Sequence, residues 1–167
     1  MESPTSQPPP THPNAAVIER LYAALRKGDA QAAADCYNPD AHFHDIAFWL
    51  DGRRNIHDMW RMVCHGGVKV VEHRVISADE NEGRGFWEAH YDFGILKRPV
   101  ISKLSSTFKF RDGLITSHVD DMDPQVWADQ AFPKPISRLV GTNESVRRKL
   151  AASKLFLFRL IHGRAPE

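Results

Sequence analysis

An α+β domain is predicted, with helices on one face of an antiparallel sheet. Three observations point to it. Apolar residues recur at helical spacing between residues 15 and 64, and long segments between 68 and 122 alternate apolar and polar side chains. Asp112-Gly113, between the last two of those segments, is the strongest short hairpin signal in the chain.

The elements follow in order. Residues 1–14 hold five prolines among Ser, Thr and Gln, with almost nothing apolar to bury, and read as a disordered arm or a ligand for a proline-recognising partner. From Ala15, Val17, Leu21 and Leu25 lie on one helical stripe with Ile18 and Tyr22, and Lys27-Gly28 supplies a stop. Asp29 caps a second short helix over 30–36, ended by Asn38-Pro39. Residues 41–45 alternate as a short strand, with Phe43 and Asp45 on one face and His42 and His44 on the other. After the Asp51-Gly52 turn, Ile56, Met59, Trp60 and Val63 form the stripe of a third helix over 54–64. Strands are expected over 68–78, 84–96, 100–111 and 114–122, with Trp87, Ala89, Tyr91 and Phe93 facing the helices. A short helix over 125–132 comes next, then a break at Lys134-Pro135. The stretch 138–164 carries seven Lys and Arg against Glu144 alone, interleaved with Leu150, Leu155, Phe156, Phe158, Leu160 and Ile161. It reads as a basic amphipathic helix, folded back on the domain or a partner subunit, or laid on a membrane surface.

Composition narrows the function classes. The chain has 167 residues, a length that fits one domain. Its 22 Lys and Arg against 21 Asp and Glu argue against a nucleic-acid binder, which usually shows a basic excess. Two cysteines, Cys36 and Cys64, build neither a disulfide scaffold nor a metal-ligand spacing. No apolar run is long enough for a bilayer span, and the opening residues lack the pattern of a secretory signal, so a cytoplasmic protein is expected. His42 and His44 share a face, with His118 or His73 as conceivable third ligands, but no Cys/His cluster supports zinc; neither metal nor cofactor is expected.

The segment "AAVIERLYAALRKG" at 15–28, continued by "DAQAAADCYNPDAHFHD", resembles the opening of the nuclear transport factor 2-like superfamily. That group includes ketosteroid isomerases, limonene-epoxide hydrolases and polyketide cyclases of the SnoaL-like type. "RDGLITSHVDDMDP" resembles their final strand, and the similarity spans roughly residues 15–132. The resemblance implies a cone: a strongly curved antiparallel sheet wrapped around three helices, here with an extra C-terminal helix. It also implies a deep apolar pocket with acid/base residues at its floor, and a homodimer through the outer sheet face.

The resemblance places site residues as well. Asp45 matches the position of the isomerases' general base, and burial raises a carboxyl toward the working range of such a base; capping the turn before Gly52 is its other role. Asp120 matches a catalytic Asp of the epoxide hydrolases, and His118 on the same face is placed to tune or relay its proton. One residue of slip would exchange Asp120 with Asp121, and these acids also suit a cap for the following helix. Phe43, Trp49, Trp60, Trp87, Tyr91, Ser106 and Phe108 are the expected substrate-binding walls, with Phe48, Leu50 and Phe110 beside them. Two departures matter. The isomerase oxyanion-hole positions fall on Leu21 and Ser106, with Tyr22 one residue off, and the hydrolases' Arg–Asp pair falls on His90 and Asp92, which alternation puts on the outer face.

Two readings follow. One is a cofactor-independent enzyme of isomerase, cyclase or epoxide hydrolase type, acting by acid/base catalysis on a terpenoid, steroid or polyketide-like molecule. The other is a non-catalytic module of the same fold that binds a hydrophobic ligand or serves assembly. Fold alone does not choose between them.

Overall fold

The computed structural model describes residues 11–167. The elements are α1 (Pro13–Lys27), α2 (Ala30–Ala34), β1 (Tyr37–His44), β2 (Trp49–Asp51), α3 (Arg53–His65), β3 (Lys69–Ala78), β4 (Glu82–Phe93), β5 (Arg98–Arg111), β6 (Leu114–Asp121), α4 (Pro124–Ala131), α5 (Ile136–Thr142) and α6 (Glu144–His162). Residues 1–10 of the expected Pro-rich arm lie outside the described residues, while Pro13 and Asn14 belong to the first turn of α1. Pro suits that position because its missing N–H would have no helical partner there. Gly28 closes α1 in the left-handed conformation, φ 73°, returning its N–H to Ala24 and Leu25 carbonyls.

The six strands form one sheet in the order β2-β1-β6-β5-β4-β3. The architecture is α+β, but two expectations are corrected. The sheet is mixed rather than antiparallel, because β1 runs parallel to β6. A parallel pair needs a long crossover, and here everything from β2 to β5 supplies it, so no local signal marks the pairing. The sheet is also open, with β2 and β3 as its two edges, and is not curled into a strong cone. After the sheet come three helices where a short helix over 125–132 and one basic helix were expected, because the stretch 138–164 divides into α5 and α6 at Asn143.

The inner sheet face packs on α1 and α3. Ile18, Leu21 and Tyr22 of α1 and Ile56, Met59 and Trp60 of α3 bury against Phe43, Trp87, Phe108 and Ile115. Gly85 in β4 lets α1 approach, since a Cβ there would collide with the Tyr22 hydroxyl. A second cluster joins Trp127, Ala128 and Ala131 of α4 to Val100 and Val140.

The C-terminal segment folds back on its own domain, one of the alternatives its composition left open. Asp58 of α3, fully buried, accepts hydrogen bonds from Arg159 Nε at 2.8 Å, Arg164 Nε at 3.2 Å and the Ala165 amide at 2.6 Å. Burial pushes the Asp58 carboxyl up, but the amide and the two guanidinia outweigh it and hold it below the ordinary carboxylate range. No helix among the described residues is long and apolar enough to cross a membrane. Asp58→Ala leaves the latch without its acceptor and should cost about 3 kcal/mol, the scale for breaking a buried ion pair. Denaturant unfolding measures that loss, and hydrogen exchange should show faster exchange confined first to residues 155–165.

Candidate functional site

A cavity of about 230 Å³ lies between the inner sheet face, α3 and the C-terminal helices. Phe43, Trp87, Ala89 and Tyr91 line it from the sheet, Met59, Trp60 and Val63 from α3, and Arg147, Leu150, Ala151 and Lys154 from α6. The loop 45–48 between β1 and β2 forms one wall.

Asp45 stands at the head of that loop. Its Oδ1 accepts the amides of Ala47 at 2.7 Å and Phe48 at 2.6 Å, so it does cap a turn. Its Oδ2 makes no hydrogen bond among the described residues, and the residue lines the cavity. Burial pushes the carboxyl up to about 6 from 3.8; the Phe48 and Ala47 amides oppose this, and the nearby Asp120 charge adds to it. One oxygen is therefore fixed by backbone, and the other is left open on a carboxyl raised toward neutrality.

Asp120 points inward, 2% exposed, whereas Asp121 faces solvent. The pairing Ser106↔Asp120 in β5–β6 settles the one-residue ambiguity. Asp120 Oδ1 accepts the Ser106 hydroxyl in a short hydrogen bond and His118 Nε2 at 2.9 Å, and Oδ2 accepts Trp87 Nε1 at 3.2 Å. The network continues through Tyr37, whose hydroxyl lies 2.7 Å from His118 Nδ1 and accepts Trp60 Nε1 at 3.2 Å. Donor counting orients it. The Asp120 carboxylate can only accept, so His118 Nε2 carries a proton toward it, and in the neutral ring Nδ1 is then the acceptor of the Tyr37 hydroxyl, which itself accepts from the indole.

The expected site residues divide accordingly. Phe43, Asp45, Trp60, Trp87, Tyr91 and Asp120 line the cavity together. His118 is fully buried behind Asp120, and Phe108 packs against it at a tilt, ring centroids 4.4 Å apart; neither lines the cavity. Ser106 is likewise buried, its hydroxyl spent on Asp120. Trp49 is not a wall: β2 is an edge strand that pairs it with His44, leaving it 51% exposed beneath Arg148. Leu21 and Tyr22, the oxyanion-hole comparison, are both core residues, and the buried Tyr22 hydroxyl has no hydrogen-bond partner among the described residues. Asp92, expected on the outer face with His90, contributes to the cavity rim. Among the described residues no group of three or more His, Cys, Asp or Glu could hold a metal ion.

Sequence reasoning missed the closing wall. Trp127 of α4 donates Nε1 to the Tyr91 hydroxyl at 2.9 Å, and that hydroxyl is 3.2 Å from Ser102 Oγ. Arg147, Leu150, Ala151 and Lys154 follow helical spacing, so their common face was legible. What that face covers was not.

Residues 18–118 match the SnoaL-like domain family. The chain belongs to that family. The fold of this SnoaL-like domain is shared with a candidate polyketide cyclase from Xanthomonas campestris pv. campestris, 17% identical, TM-score 0.63, over 72% of this chain and 97% of that one. It is shared with TerC co-crystallised with polyporic acid, 16% identical, TM-score 0.61, over 72% and 98%. A protein of ketosteroid isomerase-like fold from Catenulispora acidiphila, in complex with trimethylamine, is 17% identical with a TM-score of 0.55, over 69% and 91%. No curated protein matches the sequence significantly. The family match ends before α4, so the helices that close the cavity lie beyond it.

The Asp45 geometry has a stability consequence. Its folded value near 6 exceeds the unfolded value near 3.8, so the native state binds the extra proton between them. This group's contribution is complete at low pH and is lost as pH rises through about 6. Relative to wild type, Asp45→Asn should therefore gain about 2–3 kcal/mol between pH 4 and pH 8, measured by denaturant unfolding at each pH.

Proposed function

We propose that this SnoaL-like domain is a cofactor-independent enzyme that moves a proton on a hydrophobic carbonyl compound, isomerase or cyclase in type, with Asp45 as the base. The observation that carries the reading is the free Oδ2 of Asp45 in an apolar cavity, on a carboxyl pushed up to about 6. Such a base is ionised at neutral pH yet strong enough to accept a carbon-bound proton. Asp45 Oδ2 takes the α-proton, the C–H pair moves into an enolate, and the proton is then returned. It goes to another carbon in an isomerisation. In an aldol-type cyclisation the enolate carbon attacks a second carbonyl and the new alkoxide takes the proton.

Tyr91 is placed to face the enolate. Its hydroxyl accepts from Trp127, leaving its own proton to donate to Ser102 or to a ligand oxygen. Asp120 and His118 act behind the site, where the Asp120 charge helps keep Asp45 basic. The epoxide hydrolase reading is less supported, because three donors already occupy the Asp120 carboxylate, two on Oδ1 and one on Oδ2, leaving a single acceptor site for a water. A polyketide-like substrate draws support from the neighbours described as candidate polyketide cyclases and from the one co-crystallised with polyporic acid. On the outer sheet face, Phe86, His90 and half-exposed Ile101 alternate with the core-facing residues of β4 and β5, and we place the dimer contact there.

A carbon acid that fits the cavity tests the base. Wild type should accelerate hydrogen–deuterium exchange at the α-carbons of 2-tetralone in heavy water, and Asp45→Asn should lose that by on the order of a hundredfold or more. The rate should climb with pH through about 6, and Asp120→Asn should move that midpoint downward, since it removes a charge that raises Asp45. Binding of tetralone without exchange would favour a carrier.

A further inference from the structure

The α6 face that closes the cavity is cationic. Arg147, Leu150, Ala151 and Lys154 project from it at spacings of three, four and seven residues, so the two charges stand two helical turns, about 10 Å, apart along the wall. Neither has a carboxylate within ion-pair distance among the described residues. Arg147 is 7% exposed and is held by the carbonyls of Ile46 at 2.7 Å, Val140 at 3.0 Å and Gly141 at 2.8 Å. It closes the end of α5 and has little left to offer a ligand. Lys154 is different. It stands at the mouth with its ammonium 4.7 Å from the centre of the Phe93 ring, and no hydrogen bond or ion pair engages it among the described residues. Desolvation holds its amine below the ordinary lysine range.

Asp45 stands at the Arg147 end of that face, since Arg147 holds the carbonyl of its neighbour Ile46, and Asp120 lies on the sheet. Asp92, exposed to solvent, makes no ion pair with Lys154. A ligand with one negative end is therefore repelled from the Asp45 end and attracted to the Lys154 end. Size adds a limit. A dry apolar cavity of about 150 Å³ holds one benzene, so this one, at about 230 Å³, suits roughly two fused rings rather than a four-ring skeleton.

We propose that the cavity takes a compact hydrophobic carboxylic acid of about two rings, its carboxylate held by Lys154 at the mouth and its apolar body directed toward Asp45. The proposal rests on this cavity being the ligand site of the function proposed above, and it does not require Asp45 to act as a base. Lys154 is then the specificity-determining residue, supplied by a helix that lies outside the family match.

Isothermal titration with 2-naphthoate and its neutral counterpart 2-naphthamide, near pH 7.5, tests it. Wild type should bind naphthoate about five- to tenfold more tightly. Lys154→Met should erase that preference with unchanged melting temperature, and Lys154→Arg should keep it. Equal or tighter binding of naphthamide to wild type, a preference that survives in Lys154→Met, or no binding of either probe would each overturn the proposal. Tetralone exchange carries no charge requirement, so a failed base and a failed charge preference show up in different experiments.

Discussion

The buried Asp120 carboxylate is the constraint around which the inner sheet face is arranged. A charge removed from water costs several kcal/mol unless donors replace its hydration. Three strands provide them: Trp87 from β4, Ser106 from β5 and His118 from β6. Each donor must lie on the inner face at the right height, so the network and the register of β4, β5 and β6 support one another. Shifting β6 by one residue would turn Asp120 and His118 outward together, bring Val119 and Asp121 inward, and break the Tyr37 contact behind the imidazole.

That arrangement also defines the chemistry of the cavity. Asp120 takes three donors from the sheet, and its charge acts on Asp45 through the low-dielectric interior. Two carboxylates thus take different parts because their hydrogen bonding differs. Asp120 accepts three side-chain donors over both oxygens, while Asp45 is held by two backbone amides on one oxygen and is open to the cavity on the other. The Trp60–Tyr37–His118 chain behind Asp120 fixes the imidazole tautomer and spans the core from α3 to β6. The Asp58 latch completes the site from the opposite side, since it holds α6 over the mouth.

Much of this was legible in the residues. Periodicity located α1 and α3, and the alternation of Trp87, Ala89, Tyr91 and Phe93 identified the inner face of β4. Asp112-Gly113 marked the β5–β6 hairpin, and with it the strand that carries His118 and Asp120. The unread features all depend on distant contacts. The parallel β1–β6 pairing has no local signature, and β2 is a three-residue strand defined only by its partner. Trp49 looked like a wall because it follows Asp45, but antiparallel pairing with His44 turned it outward. The spacing of Arg147 and Lys154 was visible while its target was not, because the docking of α6 is decided by Asp58 and Asn55, some hundred residues away.

Everything assigned to the cavity turns on the surroundings of Asp45, which raise its carboxyl to about 6. The direct measurement is carboxyl carbon NMR of the full chain labelled at aspartate, titrated from pH 3 to pH 8, with the Asp45 signal assigned from its loss in Asp45→Asn. A midpoint near 6 is expected for that signal. A midpoint near 4, the ordinary aspartate value, would show that water reaches the carboxyl freely, and the base assigned to this cavity would be contradicted.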